Sequence, residues 1–134
     1  MIQTAEEFIR LRCSEDPELY TRAAYEPAFD DVWLDVINHY PEMKQWVIHN
    51  KTVPLSILQI LLDDPDPKIR YWVATKRKLT ADMFRKLAQD EDESVRFRVV
   101  CNAKTPPVIL FALANDSSAD VAMAARERMA RESG

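Results

Sequence analysis

The sequence predicts an all-α protein, built as a right-handed α-α superhelix of short two-helix repeats with atypical capping ends. Apolar positions recur at a spacing of 26 residues along most of the 134-residue chain. Inside each 26-residue segment they follow the 3.6-residue period of a helix rather than the alternation of a strand. The single glycine is Gly134, at the end of the sequence, which disfavours β-hairpins because their tight turns favour glycine.

The first 42 residues are predicted to form a degenerate N-terminal cap and first unit. Thr4 and Glu7 have the spacing of a capping box, which opens a helix that runs to about Arg12. A second apolar stripe has the helical period and resembles the second helix of a repeat unit; it consists of Phe29, Val32, Trp33, Val36 and Ile37.

Three regular units are predicted over residues 43–120. Two of them have first helices at about 66–76 and 92–102 and second helices at about 80–89 and 105–115. Asp66-Pro67, Thr80 and Thr105-Pro106 supply N-cap side chains at the helix starts. Asn50 and Asn102 occupy one repeat position, with Lys76 between them, and are expected to close helices in the left-handed conformation.

The repeat is defined by columns that agree at one spacing without gaps, which is typical of stacked helical units. Residues 121–134 are predicted to form a C-terminal cap helix, so that residues 1–134 make one helical-repeat domain. The most regular columns are Met43, Ile69, Val95 and Val121; Leu61, Leu87 and Leu113; basic Lys44, Arg70 and Arg96; and acidic Asp64, Asp90 and Asp116.

These columns resemble the leucine-rich repeat variant family of HEAT-like α-solenoids. The resemblance implies an α-α superhelix whose function is usually binding, and it implies that Arg70 and Arg96 pair with the aspartate column. The matching strings are Ile69-Arg70-x-x-Val73-Ala74, Leu87-Ala88-x-Asp90, Val95-Arg96-x-x-Val99-Val100-x-Asn102, Thr105-Pro106, Leu113-Ala114 and Asp116. The proline that this family typically carries after the turn asparagine is absent.

Composition limits the classes of function. A chain without internal glycine cannot build a glycine-rich phosphate loop, a dinucleotide-binding turn or a nucleophile elbow. Cys13 and Cys101 have no metal-ligand spacing, which predicts free thiols in a reducing cytoplasm. No apolar run reaches the length of a membrane span and no signal peptide is recognisable. We therefore expect a cytoplasmic protein without metal, cofactor or membrane association.

Formal charge is distributed unevenly along the chain. Residues 1–67 hold five Lys and Arg against thirteen Asp and Glu, a formal charge of −8, whereas residues 68–104 hold ten against five, a formal charge of +5. Solvated helix faces explain such a pattern, and so do two patches that meet different partners.

The candidate binding site is a stripe on the outward side of the first helix of each unit. Its members are Trp46, His49, Tyr71, Trp72, Phe97 and Arg98, and Met123 ends it. Aromatic residues and arginine dominate binding hot spots, although the same side chains could instead pack between layers.

The stripe favours a non-enzymatic protein-binding module, which includes the case of a small cytoplasmic inhibitor or immunity-type protein. The alternative is nucleic-acid binding through the basic, aromatic middle segment, which is similar to HEAT-like DNA glycosylases. Catalysis has one weak candidate pair, Asp82 beside Arg85.

Overall fold

The computed structural model describes residues 1–133, and these residues form ten α-helices, one 3-10 helix and no strand. The predicted all-α class is therefore confirmed. The elements are α1 (Ala5–Arg12), α2 (Pro17–Tyr25), α3 (Asp30–His39), η1 (Pro41–Met43), α4 (Lys44–His49), α5 (Leu55–Leu61), α6 (Pro67–Ala74), α7 (Ala81–Ala88), α8 (Glu93–Cys101), α9 (Pro107–Leu113) and α10 (Ala119–Ser133). Gly134, the last residue of the predicted cap helix, lies outside the described residues.

The chain divides into two compact units, Met1–Ile60 and Leu61–Gly134, and each is described by itself. In the first unit, α1 packs on α2 and α3, and α3 packs on η1 and α4. In the second unit, α8 contacts both α6 and α10, and α7 contacts α9. The expectation of a single helical-repeat domain stays a prediction.

The first unit begins as the capping box predicts. The Thr4 hydroxyl oxygen accepts a hydrogen bond from the Glu7 backbone N–H at 3.0 Å, and α1 ends at Arg12. The apolar stripe of α3 is buried, and its fully buried Trp33 ring meets Phe8 edge-to-face with centroids 5.1 Å apart. The prediction for Phe29 is wrong, because this residue precedes α3 as its N-cap and is 66% exposed.

Helix α2 has no counterpart among the predicted elements. It begins at Pro17 behind an Asp16 N-cap, whose carboxylate accepts from the Glu18 N–H at 3.0 Å. This is the same cap-then-proline signal that Asp66-Pro67 gives for α6. Only Ala23 is buried on α2, so its apolar stripe is too thin to be recognised by period.

In the second unit, the predicted helices form within about two residues of their expected bounds. The Asp66 carboxylate accepts from the Lys68 N–H at 2.9 Å and caps α6, and Thr80 caps α7 through the Met83 N–H. Aliphatic side chains from these helices make the core, of which Val73 and Leu87 are at most 1% exposed.

The prediction that Thr105 caps α9 is wrong. Pro106 is the N-cap residue and Pro107 begins the helix. The buried Thr105 hydroxyl instead donates to the Val99 carbonyl oxygen at 2.6 Å, near the end of α8. Burial decides the outcome, because a hydroxyl without water must find a partner inside the protein.

The two asparagines do not adopt the left-handed conformation. Asn102 has φ −75° and ψ 123°, Asn50 has φ −62° and ψ 129°, and no described residue has a positive φ. Asn102 is buried, and its amide nitrogen donates to the carbonyl oxygens of Ala74 and Lys76 at 2.8 and 2.9 Å. Its amide oxygen accepts from the Lys104 N–H at 2.9 Å.

Arg128 of α10, 26 residues later in the chain, likewise donates side-chain hydrogen bonds to backbone carbonyls at the end of a helix. Its buried guanidinium donates to the carbonyl oxygens of Val100 and Asn102. The offsets between donor and acceptor are 28 and 26 residues, as they are for Asn102. In the first unit, Asn50 likewise donates to the carbonyls of Ala23 and Glu26 at 2.8 and 2.9 Å.

The arginine column pairs with the aspartate column, as the family resemblance implies. Arg70 forms a bidentate pair with Asp90 at 2.7 and 3.1 Å, and Arg96 forms one with Asp116 at 2.9 and 3.2 Å. The hydrogen bond to Asp90 raises the pKa of Arg70 above its ordinary value. These arginines are largely enclosed and hold neighbouring turns together, so they carry a structural role.

Replacing the buried amide of Asn102 tests the importance of these carbonyl contacts. We expect Asn102→Ala to lower the free energy of unfolding by about 2–3 kcal/mol, because buried carbonyls and an N–H lose their partner. The exposed Asn115→Ala should change it by less than about 0.5 kcal/mol. Urea denaturation of both variants measures the difference, and equal values would contradict the role of Asn102.

Candidate functional site

An apolar column runs across three neighbouring helices of the second unit. Tyr71 on α6, Phe97 on α8 and Met123 on α10 line one cavity of about 580 Å³, and they are spaced 26 residues apart in the chain. Val121 and Ala124 complete its apolar lining. Because α8 packs against both α6 and α10, the column forms a continuous floor.

This floor is open to solvent. Phe97 is 41% exposed and Met123 is 56% exposed, so neither side chain is packed away between layers. Tyr71 and Trp72 are half-buried, and their rings meet edge-to-face with centroids 5.3 Å apart. Phe97 is therefore the exposed aromatic side chain of the floor, whereas Tyr71 and Trp72 are half-buried beside it.

Two further cavities extend the floor in both directions. One, of about 440 Å³, shares Tyr71 and Ser94 with the central cavity and adds Lys68 and Trp72. The other, of about 470 Å³, shares Phe97 and adds residues of α10 up to Glu132. We call this continuous feature the α6/α8/α10 groove.

The central part of the groove is acidic. Glu93, Asp120 and Glu127 line it, and its described lining includes no lysine or arginine. Within residues 1–133, none of these three carboxylates forms an ion pair. The flanking cavities are lined by both signs of charge, with Lys68 and Asp92 in one and with Arg131, Arg128, Glu127 and Glu132 in the other.

The predicted stripe is only partly assembled at the groove. Tyr71, Trp72 and Phe97 line it, whereas Arg98 is half-buried and lines none of its three cavities. The groove's carboxylates were missed, although Asp120 and Glu127 follow Ser94 and Cys101 by one 26-residue period. The period identifies such columns but gives no reason to expect charge on them.

Trp46 and His49 lie in the first unit and line a separate cavity of about 380 Å³. The Arg12 guanidinium lies 3.5 Å from the centre of the Trp46 ring, a stacked cation–π arrangement. The His49 ring lies beside Trp46, with centroids 5.6 Å apart. Trp46 is therefore largely covered by its own chain.

Part of the basic segment is neutralised by neighbouring acids. Arg85 pairs with Asp82 on α7, and Lys86 pairs with Asp63. Asp82 is 91% exposed in its side chain and lines none of the groove's three cavities. Partial desolvation lowers the pKa of Lys78 below its ordinary value.

The described residues contain no group of three His, Cys, Asp or Glu side chains placed to hold a metal ion. Cys13 and Cys101 are exposed free thiols. Within residues 1–133, no helix has both the length and the apolar character needed to cross a membrane.

Comparison with protein-family models, with curated proteins and with solved structures finds no match to this chain.

The stability costs of Phe97→Ala and Leu87→Ala should differ, because Phe97 lines the groove and Leu87 lies in the core. Because Phe97 is exposed, we expect its truncation to lower the free energy of unfolding by less than about 1 kcal/mol. Leu87→Ala should cost about 2–5 kcal/mol, because Leu87 is 1% exposed. Thermal or urea unfolding compares them, and a Phe97 cost as large as that of Leu87 would place Phe97 in the core.

Proposed function

We propose that this chain is a non-enzymatic protein-binding module whose α6/α8/α10 groove buries an apolar segment of another protein. The observation that carries the proposal is the solvent-open column of Tyr71, Phe97 and Met123 across three neighbouring helices. Exposed aromatic and methionine side chains in a groove are the composition of binding hot spots, because they bury large area on contact.

The scaffold under the groove supports this reading. The bidentate pairs Arg70–Asp90 and Arg96–Asp116 fix the helices that present Tyr71 and Phe97. A surface that is already in its binding conformation loses little entropy on association. The one candidate catalytic pair, Asp82 and Arg85, lies on α7 outside the lining of the groove.

We also propose that the helices form a right-handed superhelix of 26-residue units, of the leucine-rich repeat variant type. Asn102 and Arg128, one period apart, donate to carbonyls at identical sequence offsets. Arg70 and Arg96, also one period apart, each reach an aspartate 20 residues later. Equivalent contacts at one period are what a repeat architecture requires.

Nucleic-acid binding is the second candidate, favoured by the formal charge of +5 over residues 68–104 and by Lys68 beside Trp72 in the groove. Two observations weigh against it. Arg85 and Lys86 are paired with carboxylates, and the centre of the groove carries three carboxylates that form no ion pair within residues 1–133 and would repel phosphate.

Affinity purification of three matched forms tests protein binding. The wild type and the Phe111→Ala control should retain the same stoichiometric protein, whereas Phe97→Ala should lose it. Phe111 is a suitable control because it is 64% exposed on α9 and lines none of the groove's cavities. A partner retained equally by Phe97→Ala, or no partner in repeated purifications, would refute the proposal.

A salt titration with duplex and single-stranded DNA and RNA tests the second candidate. We expect no complex even at low salt, because phosphate-driven binding strengthens as salt falls and should be most evident there. Fluorescence anisotropy measures it. A nucleic-acid complex that weakens steeply with added salt would favour nucleic-acid binding over protein binding as the function.

A further inference from the structure

We infer that the occupant of the α6/α8/α10 groove is a short amphipathic helix of a partner protein, apolar on one face and rich in lysine or arginine in its central turns. The inference rests on the proposed function and adds the chemistry of the partner. The observation that carries it is an apolar floor bordered at its centre by three carboxylates that form no ion pair with any described residue.

Charge complementarity selects the sign of the partner. The central cavity is lined by Glu93, Asp120 and Glu127 and, among the described residues, by no lysine or arginine. The flanking cavities are lined by both signs of charge: Lys68 and Asp92 in one, and Glu127, Arg128, Arg131 and Glu132 in the other. A partner with positive charge at its centre gains attraction there, and like charges placed opposite each other exclude an acidic segment. The predicted partner therefore carries its basic residues in its middle turns.

A substitution of Glu127 tests partner binding without removing a carboxylate that stabilises the start of a helix. Glu93 and Asp120 lie in the first turns of α8 and α10, where the partial positive charge of a helix end stabilises carboxylates. Glu127 is in the middle of α10, where that effect is absent. Its carboxylate has no partner among residues 1–133 and borders the floor, so it is free to meet a cation of the occupant.

Backbone hydrogen bonding selects a helix as the conformation of the occupant. The groove is lined by side chains of three helices, and none of the described residues forms a strand whose edge could pair with an extended peptide. An extended segment would gain no main-chain hydrogen bonds from these side chains, and its N–H and C=O groups that face the apolar floor would stay unpaired. A helix satisfies its own backbone and can lay its apolar face on the floor.

The width of the floor sets the length of the occupant. Packed helices lie about 8–10 Å apart, so a segment that crosses from α6 over α8 to α10 spans about 16–20 Å. At about 1.5 Å of rise per residue, this distance corresponds to about 11–13 residues, or three turns. Apolar anchors at positions i, i+4, i+7 and i+11, which span about 16 Å, would meet the floor.

Selection from a phage-displayed library of random 16-residue peptides tests the inference on the full chain. Peptides are selected on the wild type and counter-selected on Phe97→Ala, so that only groove-dependent binders remain. We expect net positive peptides with helically spaced apolar residues and basic residues between them. Acidic or uncharged binders, proline-rich binders, or no groove-dependent binder would overturn the inference.

The best selected peptide is then measured by fluorescence anisotropy against matched variants. We expect Glu127→Gln to weaken binding about two- to fivefold at low salt, with a smaller loss at high salt. Glu91→Gln makes the same charge change at a 93% exposed side chain that lines none of the groove's cavities. It removes a 3.9 Å ion pair with Arg70, which keeps its bidentate pair with Asp90, and should have no effect on peptide binding. Equal losses in both variants, or no loss in either, would show that local charge does not select the partner.

The two proposals fail in different ways. Loss of a co-purified protein in Phe97→Ala, with a peptide selection that shows no preference for basic helices, would retain protein binding and reject the basic helix. Retention of the co-purified protein by Phe97→Ala would reject the groove as the binding site, and with it both proposals.

Discussion

The fold of the second unit depends on buried side-chain donors that satisfy the last carbonyls of the helix two elements earlier in the chain. Every helix leaves four C=O groups without an intrahelical partner, and short helices expose a large share of their backbone in this way. A glycine in the left-handed conformation often closes such an end, but no described residue has a positive φ. Asn102 serves the end of α6 and Arg128 serves the end of α8 instead.

This arrangement connects the end of one helix to the position of the next. Asn102 and Arg128 donate to carbonyls at the same sequence offsets. The contacts between α8 and the end of α6 are therefore equivalent to those between α10 and the end of α8. The same registration brings Tyr71, Phe97 and Met123 onto one floor. The helix-end contacts and the column of the groove thus recur at the same 26-residue spacing.

Local signals and the 26-residue period predict most of the second unit, whereas burial decides what they miss. Caps such as Asp66 and Thr80, which need only neighbouring N–H groups, are predicted correctly. Thr105 and Asn102 are buried instead, and they donate to carbonyl oxygens six and 28 residues earlier in the chain. The exposed column follows from the period, while the acidic border does not, because charge at an exposed helix position is not constrained by packing.

Net charge along the sequence is a poor guide to the electrostatics of the groove. Residues 68–104 carry a formal charge of +5, yet Arg70 is paired with Asp90, and Arg96 is paired with Asp116, which lies outside that segment. Pairing removes these arginines from the surface that a partner meets, since both are enclosed and bonded to carbonyls as well. The unpaired charges that remain at the centre of the groove are carboxylates. Two of the three carboxylates that line the central cavity, Asp120 and Glu127, lie outside residues 68–104, so the acidic lining is set by which helices meet and not by the net charge of one segment. Such a lining favours a cationic protein segment over a phosphate backbone.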